Sequence, residues 1–313
     1  MSRLRDLALG LSLTFAALPA AGEIAFVTCQ NGDAVSVLDL DTGTERARWE
    51  VPGKPAGVAV GGGAVFTVSP DSKTVRRFSL HGEVTAATAL EGGPIGATYD
   101  PGRDRLFVSD WYNARLWALD GTTLEVQADL PAGAAPAGLA LSPDGRLLAA
   151  AERDADRISL YDTETLALLR SVPVGTRPFG LGFAPDGRLF VGNVGSNDVT
   201  VIDPASGEVL ATVPVGERPY GVAFAAGRAF VTNQYDNTLS VIALADLSPV
   251  ATLETGEYPE GISATADGRI AVANWFDNTL SVIDAASLET LAVLDTADGP
   301  RAFGAFLFDG DLP

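Results

Sequence analysis

Side chains that usually carry chemistry are scarce among these 313 residues: one His (His81), one Cys (Cys29) and one Met (Met1). His81 lies in Ser79-Leu-His-Gly82, where no Ser or Asp pairing can be drawn around it, so a solvated turn histidine is expected. One Cys excludes an internal disulfide, a Cys-based zinc site, C-x-x-C-H haem attachment and an iron–sulfur cluster. Haem held by His or Met, blue copper and clustered-His zinc lose their ligands as well, so no cofactor is expected on this chain. Spaced carboxylates occur at Glu152-Arg-Asp154-Ala-Asp156 and Asp309-Gly-Asp311. Neither has the Asp-x-Asp-x-Asp-Gly run of a calcium loop, so they read as solvated acidic loops, and no metal site is assigned. Strand-distant carboxylates could still converge in a channel, which spacing alone does not reveal.

The elements that would position any such residues follow from a repeat. Pro-x-Gly occurs at Pro55, Pro94, Pro136, Pro178, Pro219 and Pro259, with a degenerate Pro300-Arg-Ala and then Gly304, at intervals of 39, 42, 42, 41, 40 and 41 residues. A period near 41 without helical periodicity predicts four-stranded propeller blades. In the unit from Pro178 to Gly216, Leu181-Gly-Phe183 is the inner strand A, Leu189-Phe-Val191 strand B, Val199-Thr-Val-Ile202 strand C and Glu208 to Val213 the outer strand D. Pro185-Asp-Gly-Arg188 supplies the tight A-to-B turn, since Asp-Gly provides the positive φ that such turns need.

The chain ends complement one another. Phe303 to Phe308 reads as a strand A with nothing after it, and Ile24-Ala-Phe-Val27 and Val35 to Asp39 read as B and C with no A before them. Together they predict an all-β, seven-bladed propeller of antiparallel blades, its ring closed by N-terminal strands pairing with the C-terminal strand. The first 22 residues are read separately: Arg3 and Arg5, an apolar run from Leu7 to Leu18, then Pro19-Ala-Ala-Gly22, the order of a signal peptide cleaved after Ala20, Ala21 or Gly22. Residues 23–313 then form a single domain, periplasmic or secreted, and a monomeric ring.

The runs Phe230-Val-Thr-Asn233 with Asn237-Thr-Leu-Ser-Val-Ile242, Phe190-Val-Gly-Asn193 with Asn197-Asp-Val-Thr-Val-Ile-Asp203, and Val272-Ala-Asn274 with Asn278-Thr-Leu-Ser-Val-Ile-Asp284 resemble the YVTN-type β-propeller repeat. Elsewhere the pattern decays, with Cys29, Val68, Asp110 and Ala151 near the Asn position. The resemblance implies the fold and leaves the activity open, because that family includes periplasmic, surface-layer and quinone-dehydrogenase-associated propellers. The motif asparagines are expected to close turns rather than bind.

In a four-stranded meander the A-to-B and C-to-D turns share one face, and the B-to-C and D-to-A loops share the other. On the longer-loop face the D-to-A segments place Lys54, Arg177, Arg218 and Tyr258, with Phe179, Tyr220, Glu260 and Arg301 inside the Pro-x-Gly positions. The B-to-C segments add Trp111, Tyr112, Tyr235 and Trp275, beside Arg153 and Phe276. Six of the ten Trp and Tyr residues gather there, with Arg and Lys, in a chain of net charge −19 that becomes −20 once residues 1–22 are removed. This is the composition of a recognition surface. The acidity argues against nucleic acid and anionic membranes as partners. The expected function is an exported, non-catalytic propeller that binds a periplasmic protein or a small anionic or aromatic ligand at this mouth. The alternative is an enzyme or enzyme subunit: a metal-assisted hydrolase or lyase using channel carboxylates, or the propeller subunit of a quinone-dependent dehydrogenase system. Ring closure makes the first prediction: deleting residues 302–313 should abolish cooperative unfolding in calorimetry, and a retained single full-height transition would refute the closure.

Overall fold

The computed structural model describes residues 22–310 and residue 312, so the expected leader lies outside the described residues apart from Gly22. Seven sheets follow one another around a ring, each with four antiparallel strands from an inner strand A to an outer strand D, and that of blade 2 with a fifth, parallel strand on its inner edge. Blade 5 shows the plan: Pro178–Phe183, Leu189–Asn193, Asp198–Asp203 and Glu208–Pro214. The inner strands of blades 2, 3, 4, 6 and 7 are Gly57–Gly61, Pro94–Asp100, Pro136–Leu141, Pro219–Ala225 and Pro259–Ala264. Among the described residues the only helical element is the short 3-10 turn Arg153–Ala155, and no helix is long and apolar enough to cross a membrane.

B strands are buried almost throughout because both of their faces meet neighbouring blades. Phe26, Phe66, Phe107, Phe190 and Phe230 occupy the same position three residues before the end of their B strands, each at most 1% exposed. Burying each ring contributes about 1.5–3 kcal/mol. On the tight-turn face Arg105, Arg188, Arg228 and Arg269 donate to carbonyls of the next blade, those of Thr163, Leu244, Ala285 and Leu40, at 2.6–3.0 Å. The arginine that opens the B strand after the A-to-B turn is thus also a staple between blades, in two cases within an Asp-Gly-Arg turn.

The glycine of Pro-x-Gly has a steric reason. A methyl group on Gly57, Gly96, Gly138, Gly180, Gly221, Gly261 or Gly304 would strike a backbone carbonyl of the adjacent inner strand, the loosest case being 2.9 Å at Gly221. Inner strands therefore approach one another at a distance that only glycine permits.

Blade 1 closes the ring with Glu23–Cys29, Ala34–Asp39 and Thr44–Glu50 behind the C-terminal strand Leu307–Asp309. The pairs are Glu23↔Asp309, Ile24↔Phe308 and Ala25↔Leu307. The expected single strand Phe303 to Phe308 is corrected in one respect: it divides. Phe303–Ala305 lies parallel to the inner strand of blade 2, and only Leu307–Asp309 joins blade 1. The intervening Phe306 is fully buried with its carbonyl on the Phe26 N–H at 2.8 Å, and Gly304, at φ 137°, gives the backbone a conformation that other residues rarely adopt.

Gly180→Ala would drive a methyl into the Tyr220 carbonyl and should lower stability by about 1–3 kcal/mol, seen as an earlier denaturant midpoint with an unchanged slope. An unshifted midpoint would mean the ring can relax at that point.

Candidate functional site

Two recurring sequence positions supply most of the loop-face mouth, to which Arg218, Tyr258 and Phe276 are added. One is the x of Pro-x-Gly, which the close inner strands turn toward the axis; the other is the first residue after each B strand. The x series reads Ala56, Ile95, Ala137, Phe179, Tyr220, Glu260, Arg301, and the second reads Gln30, Pro70, Trp111, Arg153, Val194, Gln234, Trp275. The large x residues on blades 5 to 7 and the closing segment line a cup of about 360 Å³ that Ala56, Ile95 and Ala137 do not reach.

Of the predicted residues, Trp111, Phe179, Arg218, Tyr220, Tyr258, Glu260, Trp275 and Arg301 line this cup. Tyr235 stands on its rim, stacked by Arg218, whose guanidinium carbon is 4.5 Å from the ring centre and also bonds the phenol oxygen. Lys54, Tyr112 and Arg177 are not brought in. Lys54 turns its ammonium to the Asn31 carbonyl at 3.2 Å, Tyr112 is 78% exposed over Gly93, and Arg177 is exposed outside the cup. Gln30, Val194 and Gln234 line it without having been singled out. The signal for them was the position directly after the B strand, which composition does not mark.

The loops that hold these side chains are braced. Asp33, Asp156, Asn197, Asn237 and Asn278 accept the backbone N–H of Lys54, Arg177, Arg218, Tyr258 and Gly299 at 2.7–3.0 Å. Donor and acceptor residues alike have positive φ, a strain that costs non-glycine residues about 1 kcal/mol or more each and that the paired loops hold in place. Asn233 and Asn274 bond Thr and Ser of the next strand within their blades, and Asn193 bonds Asp198 and Thr200, so the motif asparagines serve structure. Strand pairing shifts two of the decayed positions by one residue: the equivalents are Ser69 and Glu152, not Val68 and Ala151. Glu152 pairs with Arg157 and Asp156 with the Arg177 amide, which accounts for two of the acidic-loop carboxylates; Arg153 bonds Asp154 at 2.6 Å. Asp309 sits in the closing strand, and Asp311 lies outside the described residues.

Beneath the cup the rings of Phe179 and Tyr220 lie 4.5 Å apart between centres, and Phe303, which lines the opposite cavity, backs Phe179 at 5.1 Å. Against these rings lies a buried polar network. Arg301 donates to the Tyr220 hydroxyl through Nε (3.0 Å) and Nη2 (2.7 Å) and to Gln30 Oε1 through Nη1 (2.8 Å), while its guanidinium faces Trp275 at 5.2 Å. Glu260, 2% exposed, takes a 2.7 Å hydrogen bond from Gln234 on Oε1. Its Oε2 is 3.1 Å from Arg301 Nε yet is not aligned for a hydrogen bond. Burial raises the Glu260 carboxyl to about 6, although Arg301, Gln234 and Tyr220 oppose the rise. Burial pushes the Tyr220 phenol upward too, and burial with the neighbouring Tyr235 takes Tyr258 to about 12. For Arg301 burial acts against the charge, but Glu260 and Tyr220 outweigh it and hold the guanidinium above its ordinary value.

At the tight-turn end a second cavity of about 850 Å³ is lined by the glycine ring and by side chains such as Leu141, Phe183 and Phe224. Its Asp100 is paired with Arg103 at 3.1 Å. Among the described residues no three His, Cys, Asp or Glu side chains converge. Cys29 is buried beside Ser36, and burial raises its thiol to about 11, a poor nucleophile. His81 is exposed in a C-to-D turn.

Fold and site together define a seven-bladed β-propeller with a basic, aromatic cup on its loop face. The model of the "Lactonase, 7-bladed beta-propeller" family matches residues 120–225, about a third of the chain. Among solved structures, Kuenenia stuttgartiensis hydrazine synthase is similar at 17% identity and a TM-score of 0.75, covering 90% of this chain and 100% of that one, a likeness of fold. No curated protein matches the chain.

The raised Glu260 carboxyl sets a sign for pH dependence. A carboxyl that holds its proton longer in the folded state loses stability as pH rises, here between its usual 4.5 and about 6. Across that window the wild type should lose at most about 2 kcal/mol relative to Glu260→Gln. Glu23, also raised, is common to both proteins and cancels. Parallel melting temperatures from pH 4 to 7 would overturn the assignment.

Proposed function

We propose that this protein is an exported YVTN-type propeller whose loop-face cup recognises a partner group or a small anionic, aromatic ligand, without chemistry of its own. One observation carries the reading: in an acidic chain, three arginines from three different blade junctions converge on one cup, each stacked on an aromatic ring. These are Arg153 on Trp111 at 5.4 Å, Arg218 on Tyr235 at 4.5 Å and Arg301 on Trp275 at 5.2 Å. Stacked guanidiniums lose little freedom when they meet an anion, and the aromatic surfaces beside them bury apolar area, the pairing that dominates binding hot spots. The basic start and apolar run of residues 1–22 support export.

A second reading is favoured by Glu260 together with the partial lactonase match. A carboxyl titrating near 6 beside a fixed guanidinium suits a general base that activates water against a lactone carbonyl. The matched residues 120–225 include Arg153, Phe179, Arg218 and Tyr220 but neither Glu260 nor Arg301. This reading predicts lactone ring opening with a rate that rises through pH 6 and disappears in Glu260→Gln.

The recognition reading is tested with immobilised mature chain exposed to periplasmic extract, reading out retained proteins and small molecules by mass spectrometry. Arg218→Glu and Trp111→Ala should lose what the wild type retains, whereas Lys54→Glu and Arg177→Glu, outside the cup, should keep it. Equal retention by Arg218→Glu would refute the site.

A further inference from the structure

The cup also specifies its ligand's chemistry. Its lining holds three guanidiniums, Arg153, Arg218 and Arg301, against one carboxylate, Glu260. Glu260 is committed to Arg301 and Gln234. The partner of Arg153, Asp154, is about half-exposed outside the cup, and such a solvated pair is worth little. Among the described residues Arg218 makes no ion pair; its bond is to the Tyr235 phenol. Arg301 uses three of its five N–H groups on Tyr220 and Gln30, leaving two. An occupant therefore meets an excess of positive charge carried by planar, pre-oriented forks, which match carboxylates in geometry as well as sign.

Size and shape narrow it further. About 360 Å³ lies at the small end of ligand sites and admits one flat ring system rather than a folded segment of protein. The rings of Phe179, Tyr220, Trp111, Trp275 and Phe276 line the cup beside the amides of Gln30 and Gln234, so the body of that molecule meets π-surface as well as hydrogen-bonding groups. We infer that the cup binds a planar aromatic compound bearing two or more carboxylates, its ring on the Phe179–Tyr220 floor and its carboxylates on Arg218 and Arg301. This rests on the recognition reading and makes it specific.

Calorimetric titration of the mature chain with naphthalene dicarboxylate, with quenching of Trp fluorescence as a second readout, tests the inference. Three comparators isolate its parts: naphthalene monocarboxylate for charge number, the neutral dimethyl ester for charge itself, and cyclohexane dicarboxylate for aromaticity. One dicarboxylate should bind per chain, with each comparator at least about tenfold weaker, and added salt should weaken binding. Arg218→Gln, at a half-exposed position, should keep the wild-type melting temperature and lose about tenfold in affinity. Equal binding of the cyclohexane compound or of the ester, or an unchanged Arg218→Gln, overturns the inference. If naphthalene dicarboxylate fails to bind while Arg218→Glu still loses the material retained from extract, the ligand class is wrong and the recognition site stands.

Discussion

The close approach of the seven inner strands is the constraint on which the rest depends. The inner strands of blades 2 to 7 and the closing segment Phe303–Ala305 each carry a glycine where any side chain would collide with a neighbouring carbonyl. Once that contact is made, the residue before the glycine has no room between blades and faces the axis at the mouth. The same geometry that forces Gly180 to be glycine therefore presents Phe179, and Gly221 presents Tyr220. The x of Pro-x-Gly is thus free to vary where sterics have fixed its neighbours. Variation at x then decides which blades contribute to the cup: Phe179, Tyr220, Glu260 and Arg301 line it, whereas Ala56 and Ala137 are fully buried and do not.

Polar side chains divide along the same line. On the tight-turn face Arg105, Arg188, Arg228 and Arg269, each at or just before the start of a B strand, are consumed in holding the next blade. On the loop face Asp and Asn residues are consumed in bracing loops whose backbones carry positive φ on both sides of the brace. What remains after both demands is the set with chemistry to spare. Arg218 illustrates it: its amide is held by Asn197 while its guanidinium is left for the cup.

Fold and blade count were legible because a period of about 41 residues is repeated with little drift, and the steric demand on Pro-x-Gly recurs in each blade. Eight of the twelve site residues were legible because aromatic and basic side chains stand out in an acidic chain. Composition could not separate loop residues facing inward from those facing outward, so Arg177 and Arg218, each just before a proline, looked equivalent. Arg177 ends exposed while Arg218 stacks on Tyr235. Gln30, Val194 and Gln234 were passed over because their types are unremarkable and only their register after the B strand matters. The division of Phe303 to Phe308 was hidden for a different reason: it depends on which neighbouring strand has free edge groups once the ring has closed, a property of the assembled circle.

The Glu260–Arg301 pair is the least expected feature on stability grounds. Burying both charges costs more than a well-packed apolar pair would, so stability alone gives no reason to place them at the axis. The geometry supplies another. Arg301 belongs to the segment that closes the ring, with its amide on the Thr28 carbonyl at 2.7 Å, while Glu260 comes from blade 7 and Tyr220 from blade 6. The network therefore ties the closing segment to two blades and to Gln30 of blade 1 at the point where a ligand would sit. A guanidinium held by four neighbours on three sides is a rigid donor, and rigidity in a binding group cuts the entropy that binding must overcome. The cost of burying the pair falls on folding, and because Arg301 belongs to the closing segment, the closure of the ring and the formation of the cup are one event.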